Sequence, residues 1–258
     1  MDARHGDERR APLHFSLLNI DPSGARAGLL QTRRGEVETP VFMPVATHAN
    51  FRNVSVGEAR AAGARVLLAN TYHLMLRPGA EVFRTVGGVH RFMRWDGPVL
   101  TDSGGFQIYS LPEDRVITER GARFRSFHDN SRQLLSPETS IAMQQALGSE
   151  IMMALDVCID ARSPFAPARE AMERTHRWAL RSLAARDAAE TGQALFAIVQ
   201  GGVHPELRDE SAAFLTAHPF DGFAIGGLAV GETKHDRHAV TERVAQKLPA
   251  HRPRYLMG

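Results

Sequence analysis

Cysteine is nearly absent. Cys158 is the only one in 258 residues, so no disulfide framework forms and no Cys-rich zinc site can be built from this chain. Lysine is almost as scarce: among 31 basic residues only Lys234 and Lys247 are lysines, and arginine supplies the rest. Genomic base composition is the plainer account of that bias, although guanidinium forks also suit phosphate contacts. An excess of either charge is missing too, with 31 basic against 29 acidic residues, so bulk charge does not announce a polyanion binder. Apolar runs are short, such as Val66-Leu67-Leu68-Ala69, and none has the length of a membrane span. The polar stretch from Met1 to Arg10 lacks the apolar core of a signal peptide, so residues 1–12 read as a disordered tail and the protein as cytoplasmic. What is left is ordinary globular composition, 43% hydrophobic and 23% charged, with length for one large domain or two small ones.

Along the chain, short apolar runs alternate with helical patterns and no clean linker intervenes. Leu13 to Thr39 reads as a small β excursion turning at Arg33-Arg34-Gly35. Strands are expected at Val41-Phe42-Met43, Val66–Ala69, Val99-Leu100-Thr101, Ile151–Leu155, Leu195–Val199 and Gly222–Ile225, and Tyr255-Leu256-Met257 starts a seventh. Ser55-Val-Gly-Glu58 is a capping box opening a helix that stops near Gly63. Ser136-Pro137-Glu138 starts another, which Gly148 ends. Met172, Thr175, Ala179, Leu180 and Leu183 share a helical face, as do Leu207, Ser211, Phe214 and Leu215 after His204-Pro205, and Val240, Val244 and Leu248 mark one more helix. Arg115 to Leu135 breaks the rhythm, with Arg120-Gly121 and Asp129-Asn130 as turns of an inserted hairpin pair. Two α/β layouts fit: a doubly wound sheet, or a (β/α)8 barrel with insertions that is incomplete at Gly258 after about six strands and the start of a seventh. The lack of a Gly-rich dinucleotide fingerprint after the first strand weakens the former.

Polar or glycine positions recur at successive strand ends: Asn70, Asp102, Asp156, Gln200 and Gly226-Gly227. In a parallel α/β fold those positions share the carboxyl-end face, where sites are built. Each alone has a plainer explanation, since Asp is a common helix cap and a glycine pair a common turn. Cys158 reads as a small apolar filler, and the twelve histidines show no metal spacing. Together, a carboxylate, an amide and bare backbone suit the hydrogen-bonding edge of guanine, with Phe106 and Met257 placed to sandwich the ring. Two strand-end carboxylates equally suit a glycoside hydrolase.

Thr101-Asp-Ser-Gly-Gly-Phe-Gln-Ile-Tyr-Ser-Leu111 resembles the signature of queuine/archaeosine tRNA-ribosyltransferases, the tRNA-guanine transglycosylases. So do Asn70-Thr-Tyr-His-Leu74, Ser136-Pro-Glu138, Val199-Gln-Gly-Gly202, Gly226-Gly-Leu-Ala-Val-Gly-Glu232 and Arg254-Tyr-Leu-Met-Gly258. The resemblance runs from about Leu13 to the last residue, and Gly227-Leu-Ala229 with Glu232 is similar to the bacterial branch. It implies a (β/α)8 barrel and base exchange at the anticodon wobble position: an aspartate displaces guanine, a covalent ribosyl-enzyme forms, and a 7-deazaguanine base attacks. It also implies a site. Asp102 is the acid/base or ribose-contacting carboxylate, and Ser103, Gly104, Gly105 and Phe106 shape the base pocket. Asp156 accepts from the guanine ring N–H and amine, while Gln200 and the Gly227 N–H donate to its carbonyl oxygen. The Leu228 carbonyl, with Glu232 nearby, meets an aminomethyl group; Met257 lies on the ring, Asn70 touches ribose and Gly258 touches RNA.

The implied partners are a tRNA with a GUN anticodon, 7-aminomethyl-7-deazaguanine and a second copy of the chain, with no membrane. In the family the nucleophilic aspartate and the zinc ligands, three Cys and one His, follow the Arg-Tyr-Leu-Met-Gly motif. This sequence matches neither, so residues 13–258 are expected to be a partial catalytic barrel without its zinc-binding part, inactive alone. A non-catalytic tRNA- or base-binding accessory subunit and an unrelated barrel glycosidase are the competing readings.

Overall fold

A computed structural model describes residues 12–111 and 114–257. The expected tail at residues 1–12 therefore lies, except for Pro12, outside the described residues, as does Gly258. The chain opens with an antiparallel meander, β1 (Leu13–Ile20), β2 (Arg26–Thr32) and β3 (Gly35–Thr39). Strand–helix alternation follows: β4 (Val45–Ala46), α1 (Val56–Ala61), β5 (Leu67–Ala69), α2 (Thr71–Leu76), α3 (Ala80–Val86), α4 (Val89–Met93), β6 (Val99–Thr101) and α5 (Gly105–Ser110). An antiparallel insertion of β7 (Val116–Thr118), β8 (Gly121–Arg125) and β9 (Arg132–Leu135) precedes α6 (Pro137–Leu147). Then come β10 (Ile151–Met153), α7 (Phe165–Asp187), β11 (Ala194–Val199), α8 (Pro205–Thr216), β12 (Gly222–Ile225), α9 (Lys234–Lys247) and β13 (Arg254–Leu256).

The main sheet decides between the two layouts. Its order is β13-β12-β11-β10-β6-β5-β4, and every neighbouring pair is parallel. A doubly wound sheet reverses its strand order at a switch point. Here the order simply follows the chain, so crossovers of one hand place the helices on one face and the other face curls inward. The result is an incomplete (β/α)8 barrel of seven strands. Side-chain alternation produces its two layers. Leu68, Leu100, Ile151, Met153, Phe196, Ile198 and Ala224 form the inner core, which the meander covers through Leu13, Leu30 and Val37. Met152, Leu195, Ala197, Val199, Phe223 and Ile225 pack outward on Ile141, Ala179, Leu183, Leu215, Val240 and Val244 of the helices.

The meander is pinned by charge. Arg33, in the β2–β3 turn, donates from Nε to Glu150 Oε1 at 3.0 Å and from Nη2 to the Gly148 carbonyl at 2.8 Å. Buried Glu150 also accepts the Val99 N–H at 2.9 Å and lies 3.0 Å from His90 Nε2.

Local signals place most elements. The Ser55–Glu58 capping box opens α1, and Ser136 caps α6, which Gly148 closes. The inserted segment is a three-stranded sheet turning at the two expected places. One strand is misplaced: residues 41–43 form no ladder, and Phe42 is 80% exposed. Pro40 and Pro44 remove donors on either side, and pairing begins only where the Pro44 carbonyl accepts the Leu68 N–H at 3.0 Å.

Candidate functional site

At the carboxyl ends of the strands lies a cavity of about 220 Å³. It is lined by Asn70, Asp102, Ser103, Gly104, Phe106 and Asp156 from one side and by Gly227, Leu228 and Met257 from another. Val45, Leu68, Gln107, Cys158, Ala229, Val230 and Tyr255 complete the wall. Strand ends separated by many residues in sequence thus meet around one space the size of a small flat ligand.

Asp102 leaves β6 into the glycine turn before α5 and is 8% exposed. The Thr71 N–H donates to its Oδ1 at 2.7 Å, and the Asn70 amide donates to its Oδ2. Both donors come from the start of α2, so the end of β5 orients the carboxylate that follows β6. Burial pushes the Asp102 carboxyl up to about 6 against these opposing bonds, and the charge of Asp156 adds to the rise. A proton on Asp102 is therefore exchangeable near neutral pH.

Asp156, 7% exposed, is held by Ser103 Oγ donating to Oδ1 at 2.9 Å and Gln200 Nε2 donating to Oδ2 at 2.7 Å. Its carboxyl is also pushed up by burial, against those two bonds. Ser103 Oγ in turn accepts the Gly105 N–H at 3.1 Å. Only glycine fits at 105, because a Cβ there would stand 2.3 Å from Asp156 Oδ1. Gln200 sits behind Asp156 rather than on the cavity wall. Each carboxylate oxygen retains a lone pair, and the Gln200 amide retains a second N–H.

The Gly226-Gly227 turn closes the far side. Gly227 has φ +63, and a Cβ on it would meet Gln200 Oε1 at 2.3 Å. Glu232 braces the turn. Its Oε1 accepts the Ala229 N–H at 2.6 Å, and its Oε2 accepts the Val230 N–H at 3.0 Å. Burial raises its carboxyl, but Arg237 and those backbone N–H groups outweigh this and hold it at about 2. Phe106 and Met257 both line the cavity, with Phe106 49% exposed.

Arg208 escaped the sequence reading. It lies on α8 with no exposed surface, where burial pulls its guanidinium down to about 10. Nε donates to the Gly202 carbonyl at 2.7 Å, and Nη1 donates to the carbonyls of Val199 and Gly226 at 2.8 and 2.7 Å. It ties the ends of β11 and β12 together behind the Gly227 turn. No local pattern marks it, since an arginine on an amphipathic helix normally faces water. Gln107, also on the cavity wall, weakly opposes the rise of the Asp102 carboxyl, and its Oε1 is buried without a partner.

The zinc implied by the resemblance has no donor set among the described residues. Among the described residues no three His, Cys, Asp or Glu are placed to hold a metal. Cys158 lines the cavity with its thiol pushed far up by burial and by the charge of Asp156, which favours the neutral thiol over the thiolate. No helix among the described residues is long and apolar enough to cross a membrane.

The cavity wall is built from the segments that carry the motifs, and comparison with known proteins agrees with it. The family model described as queuine tRNA-ribosyltransferase matches residues 21–258. A queuine tRNA-ribosyltransferase of Xanthomonas campestris pv. campestris is 51% identical over 246 residues, covering 95% of this chain and 64% of the relative. One of Stenotrophomonas maltophilia is 49% identical over 246 residues, covering 95% of this chain and 65% of the relative. The chain thus spans a little under two thirds of the length of the curated relatives it matches. Motifs, barrel and relatives converge: the chain belongs to the queuine tRNA-ribosyltransferase family.

Proposed function

We propose that the cavity reads a guanine-type base and that the whole protein exchanges guanine at the tRNA wobble position for 7-aminomethyl-7-deazaguanine. The observation that carries this reading is the pairing of buried Asp156 with the Gly227-Leu228 backbone across one cavity. Asp156 accepts the ring N–H and exocyclic amine on its remaining lone pairs, the Gly227 N–H donates to the base carbonyl, and Gln200, behind Asp156, orients that carboxylate. The Leu228 carbonyl takes the aminomethyl group, and Phe106 and Met257 enclose the ring faces. Glu232 acts through the turn it braces.

Asp102, whose carboxyl sits near 6, holds or releases the proton that accompanies departure and arrival of the base, while Asn70 orients it beside the ribose. The covalent ribosyl step falls to a separate aspartate, as in the family pattern. The partners in this reading are a tRNA with a GUN anticodon and a second copy of the chain. The direct test is guanine binding to Asp156→Asn by calorimetry. Asn replaces a purely accepting edge with a mixed one, and a site built to hydrogen-bond its ligand rejects such a mismatch strongly. A loss of about 2–4 kcal/mol is expected; unchanged affinity removes Asp156 from base reading.

A further inference from the structure

The insertion sheet is two-faced. Its inner face buries Ala122, Phe124 and Leu135 against Tyr72, Ile108, Leu155 and Trp178. Strand alternation then sends Arg123 and Arg125 of β8 outward, and Arg132 of β9 joins them, because Arg125 pairs with Arg132 across the ladder. All three side chains are exposed. Like charges directly opposite each other on a sheet destabilise it. Arg125 has a carboxylate near it, Asp114 at 3.5 Å, while Arg123 and Arg132 form no ion pair among the described residues. Elsewhere on the surface arginines are spent on structure: Arg177 and Arg181 of α7 grip Glu119 and Glu138.

The face also lies beside the cavity. At the tip of the β8–β9 hairpin, exposed Phe127 has its ring 6.1 Å from that of His73 on α2, the helix capped by the cavity residue Asn70. Arg125 and Arg132 flank that tip. Under the sheet, a Cβ added to Gly104 of the cavity wall would touch Leu135 at 2.8 Å.

We propose that the outer face of the insertion sheet docks the phosphate backbone of the RNA whose base enters the cavity, with Arg123, Arg125 and Arg132 as its contacts; this rests on the base-exchange reading. Two arginines that form no ion pair among the described residues and a third with only Asp114 at 3.5 Å, held in one plane by a sheet, are built to neutralise a spaced row of phosphates. The like-charged Arg125–Arg132 pair is relieved when an anion bridges it.

The test measures binding of an RNA stem-loop with a guanine in its loop across a salt series, to the 258-residue chain and to the double variant Arg125→Gln/Arg132→Gln. Guanine binding and thermal melting are followed in parallel. The expected result is about tenfold weaker RNA binding, with the slope of log K against log salt reduced by about 1.4 for two lost single-strand contacts. Guanine affinity stays unchanged, and melting is unchanged or raised, because a like-charge pair is removed. An unchanged salt slope overturns the proposal, as does a wild-type chain that binds guanine but not RNA; either leaves the cavity reading standing. Salt-dependent RNA binding through these arginines by a chain that does not bind guanine sinks the cavity reading instead. The same loss measured with polyglutamate in place of RNA assigns the face to an acidic protein partner and also overturns the proposal.

Discussion

Replacing Arg208 with methionine tests how the wall of the cavity is held. The guanidinium serves three backbone carbonyls at 2.7–2.8 Å. The Val199 carbonyl keeps a second partner, the Gly226 N–H at 3.1 Å. The carbonyls of Gly202 and Gly226 would be left buried without a donor, at a cost of about 1–3 kcal/mol each. Methionine fills much of the volume and removes a buried charge that has no carboxylate in contact, which offsets part of the loss. The net expectation for Arg208→Met is a destabilisation of about 2–3 kcal/mol in urea unfolding. The local effect exceeds the global one in meaning. The Gly226-Gly227 turn loses its tie to β11, so guanine affinity should fall about tenfold, worth roughly 1.4 kcal/mol, in the folded fraction. Arg208→Lys retains the charge without the fork and should recover only part of both losses. Stability within about 0.5 kcal/mol of wild type, together with unchanged guanine affinity, would refute the clamp.

Other outcomes follow from the same geometry. Gly227→Ala forces a side chain into a left-handed turn and against Gln200 Oε1, so guanine binding by calorimetry should fall more than tenfold, a loss above about 1.4 kcal/mol. Asp102 titrates at about 6 when folded, above its ordinary 3.8, so the folded state binds more protons than the unfolded one between these values. Its contribution to stability is therefore greatest below about pH 4 and is lost as pH rises to about 6, up to roughly 3 kcal/mol for the shift. Glu232, held near 2, works in the opposite sense at lower pH. Asp102→Asn should flatten the fall between about pH 4 and 6 in denaturation measured across pH, and an unaltered slope would remove burial as the cause. Glu150→Ala releases Arg33, Arg34 and the Val99 N–H together. Hydrogen exchange should accelerate first in β2 and β3, with a stability loss of about 3–5 kcal/mol; uniform exchange would deny the meander its pin.

Where order is local, the sequence determined it alone. Ser55 with Glu58, and Ser136 with Pro137 and Gly148, mark helix ends through bonds to their own neighbours. The apolar runs at β11 and β12 can only be covered strands. The motifs around Asp102, Asp156 and Gly227 fall at strand ends that line one cavity. Other features needed the assembled chain. The short helices α2 to α4 went unread between β5 and β6, because five to seven residues do not hold a helix in water. They exist because Leu74, Phe83, Val89 and Met93 are buried in one shared cluster. The choice of barrel over doubly wound sheet rests on which strands pair, and pairing is non-local. So do the bracing role of Glu232, the Gln200–Asp156 bond, and the burial of Arg208 beneath carbonyls from two different strand ends. Propensity and capping act between residues a few positions apart, whereas a buried charge is defined by what the rest of the chain folds around it.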